Sequence, residues 1–493
     1  MVTLNGRSGI SLLCSELLLL NLLACGGHRA SLPEVRPVAP VFDPLQQDLK
    51  KSYATLFEIS PRLEYSASQI TTMREYLKQA QDYCTGRFEG IAKEYDRRVD
   101  DDQAALKKST VTDEERHNLH CRIQENRALK SQADVIGRQS IPVAYENKLA
   151  KLELIQKWPG EVNEIRKSIA DGSYKNRRWG DVQDIGFREI EPNQKDDIKM
   201  GQEAIQDLKR TGLMPKEVEN TAVVDYVNAI GRKLAANSDL QTPLVITVLD
   251  SKEINAFALP GGFLFVERGL LEAADDESQL AGVIAHEMSH VVGRHGHKLI
   301  KKATITAIVY QAAQIAAVIF TGGVAGIGTY YAMQYGFYGL GLALSLNLLG
   351  VSRDFEREAD LLGIQYAWKA GYDPAGYINF FDKMATKEGY VNGTSWFRTH
   401  PASYDRMVAT ERELMYLPKH EAPAVTSSNF GVMKEALTKV TATAEKESRQ
   451  KPSLLAPEQG CAAPTKLIYE PDQPIETICS TPQIVPAPKP SAD

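Results

Sequence analysis

Apolar residues between about 44 and 157 recur at helical spacing in an otherwise polar stretch, which predicts two or three long helices packed as a hairpin. Ser109-Thr110-Val111-Thr112-Asp113-Glu114 carries a turn and a fresh helix start, and Trp158-Pro159-Gly160 predicts the end of the run. A polar connection follows over 161–195. Ile198, Ala204, Leu208 and Leu213 then mark one amphipathic helix, and 223–236 a second. Residues 243–249 alternate and are β-branched, so they read as a strand. Residues 254–259 and 263–266 flank Pro260-Gly261-Gly262 as a hairpin. Next comes a helix with Asp276 as N-cap, Gln279 three residues on, and an apolar stripe of Leu280, Ile284, Met288, Val291 and Val292. Residues 303–349 are the most hydrophobic of the chain and predict an apolar helical hairpin. Helices are expected up to Gly371-Tyr372-Asp373-Pro374, over 375–387, over 401–417 and over 433–449, before a Pro-rich tail from Lys451.

The capped helix carries the chemistry. Ala285-His286-Glu287-Met288-Ser289-His290 reads HExxH. Four residues make a little over one helical turn, so His286 and His290 share a face and can share one Zn2+. Glu287 beside them can act as general base on water. HExxH fixes only three positions, so a third ligand is needed. The local pattern HExxHxxGxxH fails: Gly293 is in place, but the next histidine is His295, one residue short, and it reads as a surface or packing residue. His297 lies about 10 Å along the axis from His290, beyond the reach of one ion. The distant candidate is Ser352-Arg353-Asp354-Phe355-Glu356-Arg357-Glu358-Ala359-Asp360. There Glu356 and Asp360 share a helix face. Glu356 completes a His2Glu set, and Asp360 can accept a hydrogen bond from the far nitrogen of a ligand histidine.

HExxH followed by ExxAD on a later helix resembles the zinc metallopeptidases of the M-forty-eight family. Two further stretches are similar: Asn255-Ala256-Phe257-Ala258-Leu259-Pro260-Gly261-Gly262, and Thr399-His400-Pro401 with Arg406 six residues after His400. The resemblance covers about residues 195–415. It implies an α+β, mostly helical, gluzincin-like zinc peptidase core with a small edge-strand sheet, here preceded by a long α-helical arm. It implies one Zn2+ per chain held by His286, His290 and Glu356. His400 or Arg406 then stabilises the oxyanion, or His400 fills a fourth metal position as a gate. Asn255 and the backbone of Ala256, Phe257 and Ala258 take an extended polypeptide substrate as an added strand. The apolar stretch 303–349 is expected to cover the cleft as a lid or to touch a membrane.

Composition is that of an ordinary globular protein, and a net charge of −6 gives no nucleic-acid footprint. Leu22-Leu23-Ala24-Cys25 closes an apolar N-terminal run that has the form of a lipoprotein signal, which places the mature chain in the bacterial periplasm, lipid-anchored through Cys25, with the outer membrane favoured. The expected organisation is a signal over 1–24, linker and arm over 25–180, the peptidase domain over 181–420, and a C-terminal helix and tail over 421–493. Cys84, Cys121, Cys461 and Cys479 form an even remainder suited to disulfides. A hairpin turning near Thr110 holds Cys121 about 20 Å from Cys84, so that pair needs a further break, with Gly86 as candidate. A Cys461–Cys479 bridge is the expected tail staple. Two alternatives to an exported endopeptidase stay open: a chaperone-like substrate-binding factor with latent proteolysis, and an integral-membrane protease.

Overall fold

The computed structural model describes residues 43–191, 195–210, 214–302, 353–388, 403–450 and the single residues 400, 461 and 479. The lipoprotein-type signal with Cys25 and the apolar stretch 303–349 lie outside the described residues. Among the described residues, no helix is long and apolar enough to cross a membrane.

Two short helices, α1 (Asp43–Asp48) and α2 (Tyr53–Ile59), lead into α3 (Ala67–Leu106), a single helix of 40 residues. Ser66 and Gln69 close a reciprocal capping box at its start, and Thr112 and Glu115 do the same for α4 (Asp113–Val135), which folds back along α3. A π-helical turn, Ile136–Ser140, joins α4 to α5 (Ile141–Asp171). The expected helix end at Trp158-Pro159-Gly160 is corrected here, because α5 runs through Pro159 and stops at Gly172 in the left-handed region, φ 75°. Proline in a helix interior removes one backbone bond. The buried Trp158 next to it offsets this loss: its indole N–H donates to the Phe57 carbonyl at 2.9 Å, and its ring meets Phe57 edge-on at 4.7 Å.

The half that carries HExxH begins with α6 (Lys195–Arg210) and α7 (Thr221–Ala235). Strands β1 (Val245–Leu249), β2 (Ala256–Leu259) and β3 (Phe263–Glu267) make a sheet in the order β1-β3-β2. β1 runs parallel to β3, with Val245 opposite Phe263. β2 is the antiparallel hairpin partner, with Ala256 opposite Val266, and among the described residues it is an edge of the sheet. The short α8 (Arg268–Ala273) leads to α9 (Glu277–Val292), which lies against β2. After α10 (His295–Lys302), helices α11 (Arg353–Lys369) and α12 (Ala375–Glu388) pack on α9, α13 (Tyr404–Tyr416) packs on α11, and α14 (Ser428–Gln450) packs on α7.

The helical arm and the half that carries HExxH share one apolar core. The N–H groups of Tyr53 and Ala54, at the start of α2, donate to the Asp382 carboxylate on α12 at 2.8 and 3.4 Å. Arg177, in the connection after α5, donates from Nη2 to both carboxylate oxygens of buried Glu413 of α13 at 2.6 and 2.8 Å.

The expected Cys461–Cys479 bridge is corrected. The disulfides are Cys84–Cys479 and Cys121–Cys461, with Cα atoms 5.4 and 5.3 Å apart. The reason is the unbroken α3: it runs through Gly86 as one helix, so Cys84 and Cys121 stay at different heights of the hairpin. Each takes a cysteine from the C-terminal segment instead.

Candidate metal centre

Asp276 begins α9 by accepting from the Gln279 N–H at 2.9 Å. Nearly every side chain of the helix is buried, so its register is fixed by packing on all sides. His286 and His290 project one turn apart, with their Nε2 atoms 3.1 Å from each other. α11 brings Glu356 to the same point: its Oε1 is 3.5 Å from His290 Nε2, and its Oε2 is 3.7 Å from His286 Nε2. α11 approaches this closely because of Gly363, where a Cβ would lie 2.9 Å from the His286 backbone nitrogen.

His400 comes from the segment before α13. Its Nδ1 is 2.8 Å from Glu356 Oε2 and 3.3 Å from His286 Nε2, and its Nε2 is 3.3 Å from Glu287 Oε1. His286, His290, Glu356 and His400 each offer one ligand atom, and these all lie within 4.8 Å of one another. Among the described residues, two buried carboxylate oxygens of the cluster, Glu287 Oε1 and Glu356 Oε1, accept no hydrogen bond, and the imidazole nitrogens beside them stand off at 3.3 and 3.5 Å. Imidazole nitrogens and buried carboxylate oxygens form a donor set suited to a divalent cation.

Behind the ligands lies a second layer. His286 Nδ1 is 3.0 Å from Asp360 Oδ1, so the imidazole donates there and leaves Nε2 free to ligate. Arg406 of α13 grips Asp360 through Nε and Nη2 at 2.8 and 2.7 Å, and its Nη1 is 3.1 Å from Glu356 Oε2. This side chain therefore braces the carboxylates. Tyr377 of α12 was not singled out from the sequence. Its hydroxyl donates to Asp360 at 2.7 Å, and its ring stacks on His286 at 5.2 Å. No spacing ties Tyr377 to HExxH; only the packing of α12 on α9 brings it there.

The charges follow this geometry. Burial works to raise Glu356, but His400, Arg406 and His290 outweigh it and hold the carboxyl well below its usual range. Burial likewise opposes ionisation of Asp360, yet Arg406 brings it down to about 2. Burial drives His290 well below the ordinary imidazole value, with His286, His295 and His400 adding to it against Glu356, in keeping with a neutral ligand. For His400, burial is overcome by Glu356 and Glu287, which push it up to about 10.

Of the sequence candidates for substrate contact, Ala256, Phe257 and Ala258 lie in edge strand β2. Asn255 is buried, with its amide turned to Glu267 at 3.4 Å. Of the surface or packing reading of His295, the surface half is corrected: it is buried, and its Nδ1 lies 2.9 Å from His290 Nδ1. His297 is buried at Asp197, away from the cluster.

Residues 222–414 match the model of peptidase family M48, a span that contains every site residue named above. Among curated proteins, the chain is 29% identical over 216 residues to a beta-barrel assembly-enhancing protease of Yersinia pestis, covering 42% of each chain. It is 26% identical over 213 residues to the protein of that name in Escherichia coli, covering 43% of this chain and 42% of the relative. It is 31% identical over 210 residues to the mitochondrial metalloendopeptidase OMA1 of Schizosaccharomyces pombe, covering 42% of this chain and 56% of the relative. The match thus spans about half the length of these relatives and leaves the helical arm outside it. Residues 222–414, with their HExxH helix and the ExxAD helix packed against it, are thus similar to peptidase family M48.

Proposed function

We propose that this chain is a zinc-dependent endopeptidase that hydrolyses peptide bonds of exported or unfolded envelope proteins. The observation that carries the reading is the convergence of His286 Nε2, His290 Nε2 and the Glu356 carboxylate from two helices, with the Glu287 carboxylate beside them. His286, His290 and Glu356 would hold the cation. A bound Zn2+ supplies Lewis-acid polarisation of the scissile carbonyl and acidifies water. Glu287 takes the proton from the attacking water and returns it to the departing amine. Asp360 and Glu356, both braced by Arg406, keep the ligands oriented. His400 sits among the ligand atoms, which favours its role as a gate on the fourth position over that of a remote oxyanion donor. The open edge of β2 at Ala256, Phe257 and Ala258 suits an extended polypeptide added as a strand. The names of the relatives, a beta-barrel assembly-enhancing protease and a metalloendopeptidase, support an envelope or membrane-protein substrate. Lipidation at Cys25 and a periplasmic, outer-membrane site belong to the same reading.

The test is turnover of unfolded casein by the purified mature chain and by its Glu287→Gln variant, with metal content measured in both. Cleavage by the first and none by the second, at equal metal, is the expected result. Equal cleavage by both contradicts the role of Glu287. Absence of cleavage by either, with protection of casein from aggregation, favours the chaperone-like alternative.

A further inference from the structure

We infer that His295, Glu358 and Trp179 form a positioning relay that fixes the tautomer of the metal-facing His290, so that the connection from the helical arm reaches the ligand shell. This rests on the metallopeptidase reading above and extends it to residues outside the HExxH and ExxAD ligand positions.

The relay follows by elimination. His290 turns Nε2 toward His286 and Glu356, so Nε2 must be the unprotonated, ligating nitrogen. A neutral imidazole then carries its proton on Nδ1. The atom facing His290 Nδ1 is Nδ1 of His295, at 2.9 Å. It must accept, so His295 carries its own proton on Nε2. That nitrogen faces Glu358 Oε2 at 3.5 Å. The other oxygen, Glu358 Oε1, accepts from the Trp179 indole at 3.3 Å and pairs with Arg178 Nη2 at 3.3 Å. Each ligand histidine thus has a carboxylate behind it. Asp360 backs His286 directly, and Glu358 backs His290 through one imidazole.

Local structure is built around this contact. Arg294 takes a left-handed φ of 54°, which breaks the chain between α9 and α10 and turns His295 back onto His290. A two-pronged pair with Asp197 at 2.7 and 2.8 Å holds Arg294 in that conformation. Gly293 leaves room for the ring: a Cβ there would lie 2.4 Å from His295 Nε2. Phe355 stacks on the other side of His295 at 4.4 Å. Trp179 is likewise left-handed, φ 58°, and its carbonyl accepts from Gln365 on α11 at 2.9 Å. Two non-glycine residues in a disfavoured conformation thus flank one relay.

Zn2+ affinity, read by competition with a chromogenic chelator on a Glu287→Gln background, tests this without turnover. His295→Phe keeps a ring on Phe355 but offers no acceptor, and should bind Zn2+ about 10–100-fold more weakly. His295→Gln, whose amide oxygen can accept, should recover most of that loss. Glu358→Gln should weaken binding several-fold and add little to His295→Phe. The d–d band of Co2+-loaded protein should shift in His295→Phe and not in His295→Gln. Parental affinity in His295→Phe, or equal losses in the Phe and Gln variants, overturns the relay. If His295→Phe fails to fold, Glu358→Gln decides, and parental affinity in that variant overturns it. A parent that takes up no metal overturns the metallopeptidase reading and the relay with it, whereas normal uptake by parent and His295→Phe alike overturns the relay alone.

Discussion

At the scale of single residues, the site divides between groups that would meet the metal and groups that hold those in place. His400→Ala should keep its metal and raise turnover of short peptides several-fold if the imidazole is a gate. A fall of about 100–1,000-fold would instead assign it to the oxyanion. Glu267 gives a test that is independent of the metal. It is fully buried at the end of β3, and burial raises its carboxyl to about 8. In the unfolded chain the same group loses its proton near pH ~4.3. Between these values the folded state binds more protons than the unfolded one, so this group's contribution to stability falls as pH rises from about 4.3 through 8. Glu267→Gln should therefore match the wild type near pH 4.5 and exceed it above pH 8 by on the order of a few kcal/mol. Denaturant unfolding at the two pH values reads this directly, and an unchanged pH slope would contradict the buried, protonated state.

At the scale of elements, the site depends on how closely two helices meet. Gly363→Val should force α11 off α9, because its Cβ would already stand 2.9 Å from the His286 nitrogen. Overpacking of this kind costs about 1–3 kcal/mol. Metal affinity should fall with it, as Glu356 and Asp360 move with α11. Thermal unfolding together with metal titration checks both effects, and wild-type affinity in this variant would show that the helices do not need this contact. The elements themselves were largely legible. Periodicity, the Asp276 cap and the Pro260–Gly262 turn located α9 and the β2–β3 hairpin, because those signals act over a few residues. Pro159 misled, since a local helix-breaking tendency was overridden by the long-range packing of Trp158 on Phe57. HExxH and ExxAD were readable as spacings along helices. Tyr377 and His295 were not, because one depends on how α12 packs against α9 and the other on a backbone reversal at Arg294 that no residue type announces.

At the scale of the whole molecule, the arm and the half that carries HExxH are bound by a shared core, by Asp382 of α12 accepting from the start of α2, and by Arg177 on Glu413. The C-terminal segment adds two covalent ties to the arm. Non-reducing peptide mapping should recover Cys84–Cys479 and Cys121–Cys461, and a Cys461–Cys479 peptide would contradict this arrangement. The sequence could supply the cysteine parity but not the pairing, which is set by where a distant segment returns to the α3–α4 hairpin. The helical arm lies outside the span matched to the family, while the connection that follows it meets α11 through Trp179 and Glu358. The central claim is that one chain holds one zinc through His286, His290 and Glu356. Metal content and zinc X-ray absorption of the purified mature chain and of Glu356→Gln test it most directly. The account predicts one zinc per wild-type chain, in a shell of imidazole nitrogens and carboxylate oxygen at about 2.0–2.2 Å, with marked zinc loss in Glu356→Gln. Full zinc retention in Glu356→Gln, or a shell containing sulfur, would contradict it.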